Sequence, residues 1–393
     1  MSYLGIPKHN FIDYNSYQLG YNQSIRRHYK QYHDQPTYLE IIKKIDENEA
    51  FQSMKGQKVI FGGMVLEAHA NIFAEWYLYY ANEFGIEKAD EYLNNYFTRR
   101  YNTCQVVLWI TGIIVEHTIE LEDGIKIVPL TEMPMYEEKM IYERLQLDEL
   151  PFHVFPKCAI VGTYTSPKFE SEYESFKSKG NSLHQLMIIA YSINLLNEMI
   201  CAPYFSTYYC DNPSFFISGG GTVHQGYQTS FSNKSIDSSH VKEINEIYNS
   251  LFQLPEKKQN IFMTSINRIL LSKCQRNLDD KILDLCIALE MLLLSDSGKG
   301  DPVALPFRLR GAWLIGESSE QRKSYYKDLN DLYGYRSNVA HNGFLTDKPI
   351  KHKEITEVFP RYLDLAERII KKIIKDGTPD WTNLILYKVS DNK

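Results

Sequence analysis

The period of apolar and polar positions changes along this chain. Up to about residue 175, apolar residues come in short, β-branched runs: KVIFGGMVLEAHA (58–70), VVLWITGIIVEHTIEL (106–121), IKIVPL (125–130) and CAIVGTYTS (158–166). Such runs predict strands, with few helices in this half. The second and third flank Glu122-Asp123-Gly124, and an Asp-Gly turn between two β-rich runs predicts a hairpin. A polar, turn-prone stretch, KFESEYESFKSKGNS (168–182), ends this pattern.

From there the period lengthens. SLHQLMIIAYSINLLNEMI (182–200) predicts a helix, and an aromatic, glycine-containing stretch follows to about residue 234. Helices are then predicted over 238–253, 258–275, 279–295, 304–317, 320–341 and 351–376, separated by short polar connections as in a bundle. The expected fold class is α+β: a β-rich N-terminal domain over 1–175, with sensing as its expected role, and a helical domain over 176–393. No internal repeat is evident.

Two predicted helices carry ionisable groups where apolar ones are expected. On a wheel of 100° per residue, Tyr325, Leu329, Leu332, Val339 and Ala340 form one stripe, and Arg336 falls on it. A guanidinium on a core stripe needs a carboxylate, an interface or a ligand. DKILDLCIALEMLLL (280–294) is apolar nearly all round and so predicted central; Glu290 lies among its apolar residues, beside Leu283, Cys286 and Ile287. Glu290 and Arg336 are thus expected to pair. Asp280 and Asp284 face another side. His341 lies about 140° around from Arg336, in the last turn before Asn342 and Gly343, which read as a C-terminal cap. A histidine pointing away from its own core suits proton transfer, because its ordinary titration lies near neutrality.

Composition narrows the chemistry. The net charge is −6 over 393 residues, so a nucleic-acid site has to be a local basic patch. Arg308, Arg310, Arg322 and Lys323 precede the Arg336 helix, and Lys351, Lys353, Lys371, Lys372 and Lys375 follow it. The 29 tyrosines offer amphipathic surface for stacking or interfaces. None of the six cysteines forms a CxxC pair, and no HExxH or clustered ligand set occurs, so neither metal nor cofactor is expected. SGGGT (218–222) and SDSGKGDP (295–302) lack the spacing of a phosphate-binding loop and read as connections. With no signal-peptide pattern in MSYLGIPKHNFIDYN and no run near ~18 apolar residues, a cytoplasmic chain with reduced thiols and no membrane partner is expected.

DKILDLCIALEMLLL, LPFRLRGAWLIG (305–316) and LNDLYGYRSNVAHNG (329–343), taken in order, resemble the Apea-like branch of HEPN domains. The resemblance covers roughly residues 240–375, and the upstream LWITG and EDGIKIVPL resemble the region that accompanies that domain. It implies a helical bundle that dimerises as a metal-independent endoribonuclease of antiphage (abortive-infection) defence. Arg336 and His341 would be the catalytic pair of a composite site acting on RNA (tRNA, mRNA or rRNA), with a phage-derived trigger. Active members often place Asn, Asp or His after the arginine; here Ser337 stands there, with Asn338 next. The chemistry suits the residues: an arginine fork matches phosphate oxygens, and a histidine can move the 2′-hydroxyl proton. Two other readings remain open: a non-catalytic module that binds RNA or protein, and a sensor or structural dimer.

Overall fold

In the computed structural model, residues 5–7, 27–61, 64–133, 156–172, 182–210, 222–223, 234–298, 302–346 and 348–387 are described. The connection SGGGT and the polar stretch after Glu172 lie largely outside these residues, as do residues 299–301 of SDSGKGDP. The chain is α+β, as its patterning predicts: strands gather in the first half, helices dominate the second.

The expectation of few helices before residue 100 is not met. Helix α1 (Pro36–Asp46) starts on a proline and buries Tyr38, Ile41 and Ile45, a spacing that keeps all three on one face. A one-turn helix, α2 (Glu49–Gln52), is capped by the Asn48 side chain. Among the described residues before 100, the strands are those of the KVIFGGMVLEAHA run, the antiparallel hairpin β1 (Lys58–Phe61) and β2 (Met64–Glu67). Helices α3 (Ala70–Phe84) and α4 (Ile86–Thr98) follow, joined at Gly85. Their aromatic content has an intrinsic strand preference that local patterning does not overcome. Burial of Phe73, Trp76, Tyr77, Tyr96 and Phe97 in a shared core does.

A six-stranded antiparallel sheet follows, in the order β5-β6-β7-β3-β8-β9. Its strands are β3 (Tyr101–Thr111), β5 (Ile119–Glu120), β6 (Lys126–Pro129), β7 (Cys158–Pro167), β8 (Ala202–Cys210) and β9 (Thr222–Val223). The predicted Asp-Gly hairpin is present: Ile119 pairs with Ile127 and Glu120 with Lys126, around Asp123 at φ 56°. Strand β4 (Ile113–Ile114) pairs instead, in parallel, with β10 (Lys234–Ser235). Central strand β3 is flanked by β7 and β8, so its second half is buried on both faces. Cys104 on β3 is disulfide-bonded, contrary to the reduced thiols expected, and its register partner across the sheet is Cys210. Cys158, Cys201, Cys274 and Cys286 are buried and form no disulfide.

The sheet and the helices after it are not separate bodies. Val106, Leu108 and Ile110 of β3 share one hydrophobic core with Leu186, Ile189 and Ile193 of α5 (Ser182–Asn194). The same core runs on through α6 (Val241–Phe252), α7 (Glu256–Cys274), α8 (Leu278–Leu293), α9 (Ala304–Ile315), α10 (Ser319–Asn342) and α11 (Pro349–Asp376). Residues from both sides of the expected boundary at 175 thus contribute to one hydrophobic cluster. A further helix, α12 (Trp381–Tyr387), packs on α9. Helix α8 touches α7, α9, α10 and α11, the central position its all-round apolar sequence predicts. Gly311 of α9 lets α10 approach closely: a Cβ there would stand 2.6 Å from the Leu329 side chain.

Candidate active site

Helix α10 begins with a capping box between Ser318 and Gln321 and ends at Gly343, which takes a left-handed conformation, φ 80°. Gly343 donates its N–H to the Val339 carbonyl at 2.9 Å. The next turn of chain is pinned: the Leu345 side chain is buried and its N–H donates to Asp279 Oδ1 on α8 at 3.2 Å. These contacts set the position of the helix end. Leu329, Leu332 and Val339 are buried, as the stripe predicts, but Ala340 is exposed because the last turn runs beyond the bundle.

Arg336 meets Glu290 of α8. Its Nη2 donates to Oε2 at 3.3 Å, and its Nε lies 3.1 Å from Oε1, an ionic contact whose N–H is misdirected for a hydrogen bond. The pair sits at the rim of the core rather than within it: the Arg336 and Glu290 side chains keep 29% and 20% of their exposure. Burial raises the Glu290 carboxyl above its ordinary value, against the opposing pull of Arg336. Burial pushes the thiol of Cys286, one turn earlier on α8, well up. It donates instead to the Leu332 carbonyl at 3.7 Å.

His341 is exposed and makes no polar contact among the described residues. Ser337 is half-buried and Asn338 exposed. One chain therefore presents the guanidinium and the imidazole on different sides of the same helix end.

The basic residues before the motif divide by their partners. Arg308 of α9 comes closest to it: Nε donates to the Ala304 carbonyl at 2.9 Å, and Nη1 donates to Asn330 Oδ1. Arg310 is committed elsewhere, to the Leu293 carbonyl at 2.6 Å, to the Asp296 carboxylate and to the face of Trp381. Arg322 donates to the Gly316 carbonyl at 3.0 Å and lies over Trp313, fastening α9 to α10. Lys323 is exposed. Asp284 pairs with Arg268 of α7 at 2.7 Å, on another side of α8 as expected. Lys371 and Lys372 pair with Glu243 and Asp376, while Lys351, Lys353 and Lys375 are exposed.

Sequence reasoning passed over Asn330 and assigned no role to Tyr333, the tyrosine of the resembling Y..RS...H.G pattern. Tyr333 precedes Arg336 by three positions, a spacing that makes them neighbours on a helix and was visible in the sequence. Among the described residues no group of three or more metal-ligating side chains occurs, and no helix is long and apolar enough to cross a membrane. No family model, no curated protein and no solved structure matches the chain.

Proposed function

We propose that this chain is a metal-independent endoribonuclease of the HEPN type, acting in the cytoplasm in antiphage, abortive-infection defence. Its site is composite, assembled from two copies. Each contributes Arg336 to hold the scissile phosphate and His341 to move a proton to or from the 2′-hydroxyl or the leaving oxygen. The products are a 2′,3′-cyclic phosphate and a 5′-hydroxyl. One observation carries this reading: an exposed, unpartnered imidazole at a rigidly capped helix end, near a guanidinium at the bundle rim but off its face. An arginine fork stabilises phosphorane charge and an imidazole transfers protons near neutrality, so the two residue types supply complementary parts of the reaction. The exposed apolar side chains of Phe344 and Ile350, just beyond His341, support a homodimer that covers this end. The RNA is tRNA or mRNA, and the sheet-bearing half is the element we assign to a phage-derived trigger.

Incubation of purified protein with total RNA in EDTA tests the reading. Fragments ending in cyclic phosphate are expected. RNA that is neither cut nor shifted in mobility overturns both catalysis and RNA binding. The engagement of Arg336 by Glu290, together with Ser337 at the position after the arginine, favours a second reading, a non-catalytic RNA-binding module. Intact RNA with a mobility shift selects it.

A further inference from the structure

Tyr333 stands beside the Glu290–Arg336 pair with its hydroxyl unused. It precedes Arg336 by three residues, so the two side chains are neighbours on α10. Its half-buried ring contacts Phe307 of α9, with centroids 5.1 Å apart and planes inclined at 53°. The guanidinium carbon of Arg336 lies 5.8 Å from the ring centre. The charges of Glu290 on α8, Arg308 on α9 and Arg336 on α10 all act on the phenol. Three helices thus converge on this one side chain.

Three other tyrosines of the bundle have partners: Tyr248 donates to Asp123 at 2.8 Å, Tyr325 accepts from Arg368 at 3.2 Å, and Tyr335 is hydrogen-bonded to Tyr362. Tyr326 lies under Arg308, 5.6 Å from its guanidinium carbon, and away from the Glu290–Arg336 pair. Among the described residues the Tyr333 hydroxyl has no such partner, and it is not sealed from solvent either. A tyrosine at the edge of a core normally satisfies its hydroxyl. This one is left as an open donor. Burial first, then the Glu290 charge, raises the phenol above its ordinary value.

Two guanidiniums, Arg308 and Arg336, act on the phenol. Arg308 binds the amide oxygen of Asn330, whose Nδ2 donates to Asp331 at 3.4 Å, while Arg336 pairs with Glu290. The Tyr333 O–H and the Arg336 N–H groups are donors three residues apart on one helix face. That pair suits the adjacent non-bridging oxygens of a phosphodiester better than a base, because the ring itself is occupied by Phe307 and Arg336.

We propose that Tyr333 is a substrate-binding residue of this site: its hydroxyl donates a hydrogen bond to a non-bridging oxygen of the RNA phosphate held by Arg336. This inference rests on the ribonuclease reading above. Tyr333→Phe keeps the ring against Phe307 and removes only the donor, so melting temperature and oligomeric state stay at wild-type values. The full-length variant is compared with wild type in two assays: binding of a 2′-O-methyl RNA oligonucleotide, which cannot be cut through its 2′-oxygen, and cleavage of total RNA. Loss of one hydrogen bond to a charged group weakens binding by about tenfold. The loss in kcat/KM is expected to match it and to fall mainly on KM, with the pH profile unchanged. If wild type binds and cleaves and Tyr333→Phe does both equally well, the inference about Tyr333 fails while the ribonuclease reading stands. If wild type neither binds the probe nor cuts RNA, both fail.

Discussion

His341 and Lys168 show how position decides what an ionisable side chain does. Removing the His341 imidazole creates no cavity and strands no partner, because the side chain is exposed at a helix terminus. His341→Ala is therefore expected to melt with the wild type while losing ~10²–10⁴ in cleavage rate, the usual loss for an acid–base group. Full cleavage by the folded variant, with contaminating nuclease excluded, would leave His341 as the end of a helix. Lys168 is the opposite case. It is buried, and its Nζ donates to the Tyr96, Phe97 and Arg99 carbonyls at the end of α4, at 2.8, 2.9 and 3.4 Å. Burial, with Arg99 nearby, lowers its pKa from 10.5 to about 8. Between those values the unfolded chain binds more protons than the folded one, so this contribution to stability grows as pH rises above 8. It is lost again as pH falls through 8. Melting temperature should climb by a few degrees between about pH 8 and 9.5 in wild type, relative to Lys168→Met. Parallel pH profiles for the two proteins would remove Lys168 as the cause.

Two ion pairs between helices look alike on paper and differ in the structure. Glu290–Arg336 joins α8 to α10 at the rim of the core. Lys273–Glu367 joins α7 to α11 at 2.8 Å with both side chains at 3% exposure. Lys273 also donates at 2.7 Å to the Asn194 and Met199 carbonyls, tying the bundle to the end of α5. Burial lowers the Lys273 pKa and raises that of Glu367, both shifts opposing the charged forms. Truncating one partner of a buried pair typically costs ~3–5 kcal/mol, against ~1 kcal/mol or less where water screens the charges. Lys273→Met is therefore expected to lower the melting temperature well beyond Glu290→Gln, which keeps its shape and stays partly hydrated. The reverse order would contradict the burial argument. Gly311 tests helix packing in the same way. Its Cβ would also stand 3.2 Å from the Ile369 side chain, so Gly311→Val forces the Leu329 and Ile369 methyls to repack where α9 meets α10 and α11. Overpacking of this kind costs ~1–3 kcal/mol, read as a lowered melting temperature.

At the scale of the whole molecule, helix geometry sets the guanidinium and imidazole of one chain about 140° apart around α10. A second copy is expected to supply the missing group. Sedimentation at micromolar concentration should report about twice 45.9 kDa. Phe344 and Ile350, exposed at 49% and 77%, lie at the end to be covered, so Ile350→Asp should shift the species to monomer and abolish cleavage together. A monomer that cuts RNA at the wild-type rate would sink the composite site. β3 and α5 belong to the same apolar cluster as α8 and α10.

The bundle was legible in the sequence because its helices are amphipathic, with end signals such as Gly343 and the Ser318–Gln321 box acting over a few residues. Six helices were predicted between 238 and 376, and the structure places α6 to α11 there. The Asp-Gly hairpin was legible for the same reason, since turn chemistry is local. The wheel also brought Glu290 and Arg336 together, because two ionisable groups on apolar faces of packed helices have few other partners. Helix α1 went unpredicted although its leading proline and the helical spacing of Tyr38, Ile41 and Ile45 were there to read; in α3 and α4, aromatic side chains carry a strand preference that mutual burial overrides. The depth of each charge was not legible. The wheel placed Arg336 in the core, yet the structure leaves it at the rim and buries Lys273 and Glu367 instead. Periodicity reports which face of a helix turns inward; how far a residue lies from water depends on which elements cover that face, and that is settled only when distant segments of the chain meet.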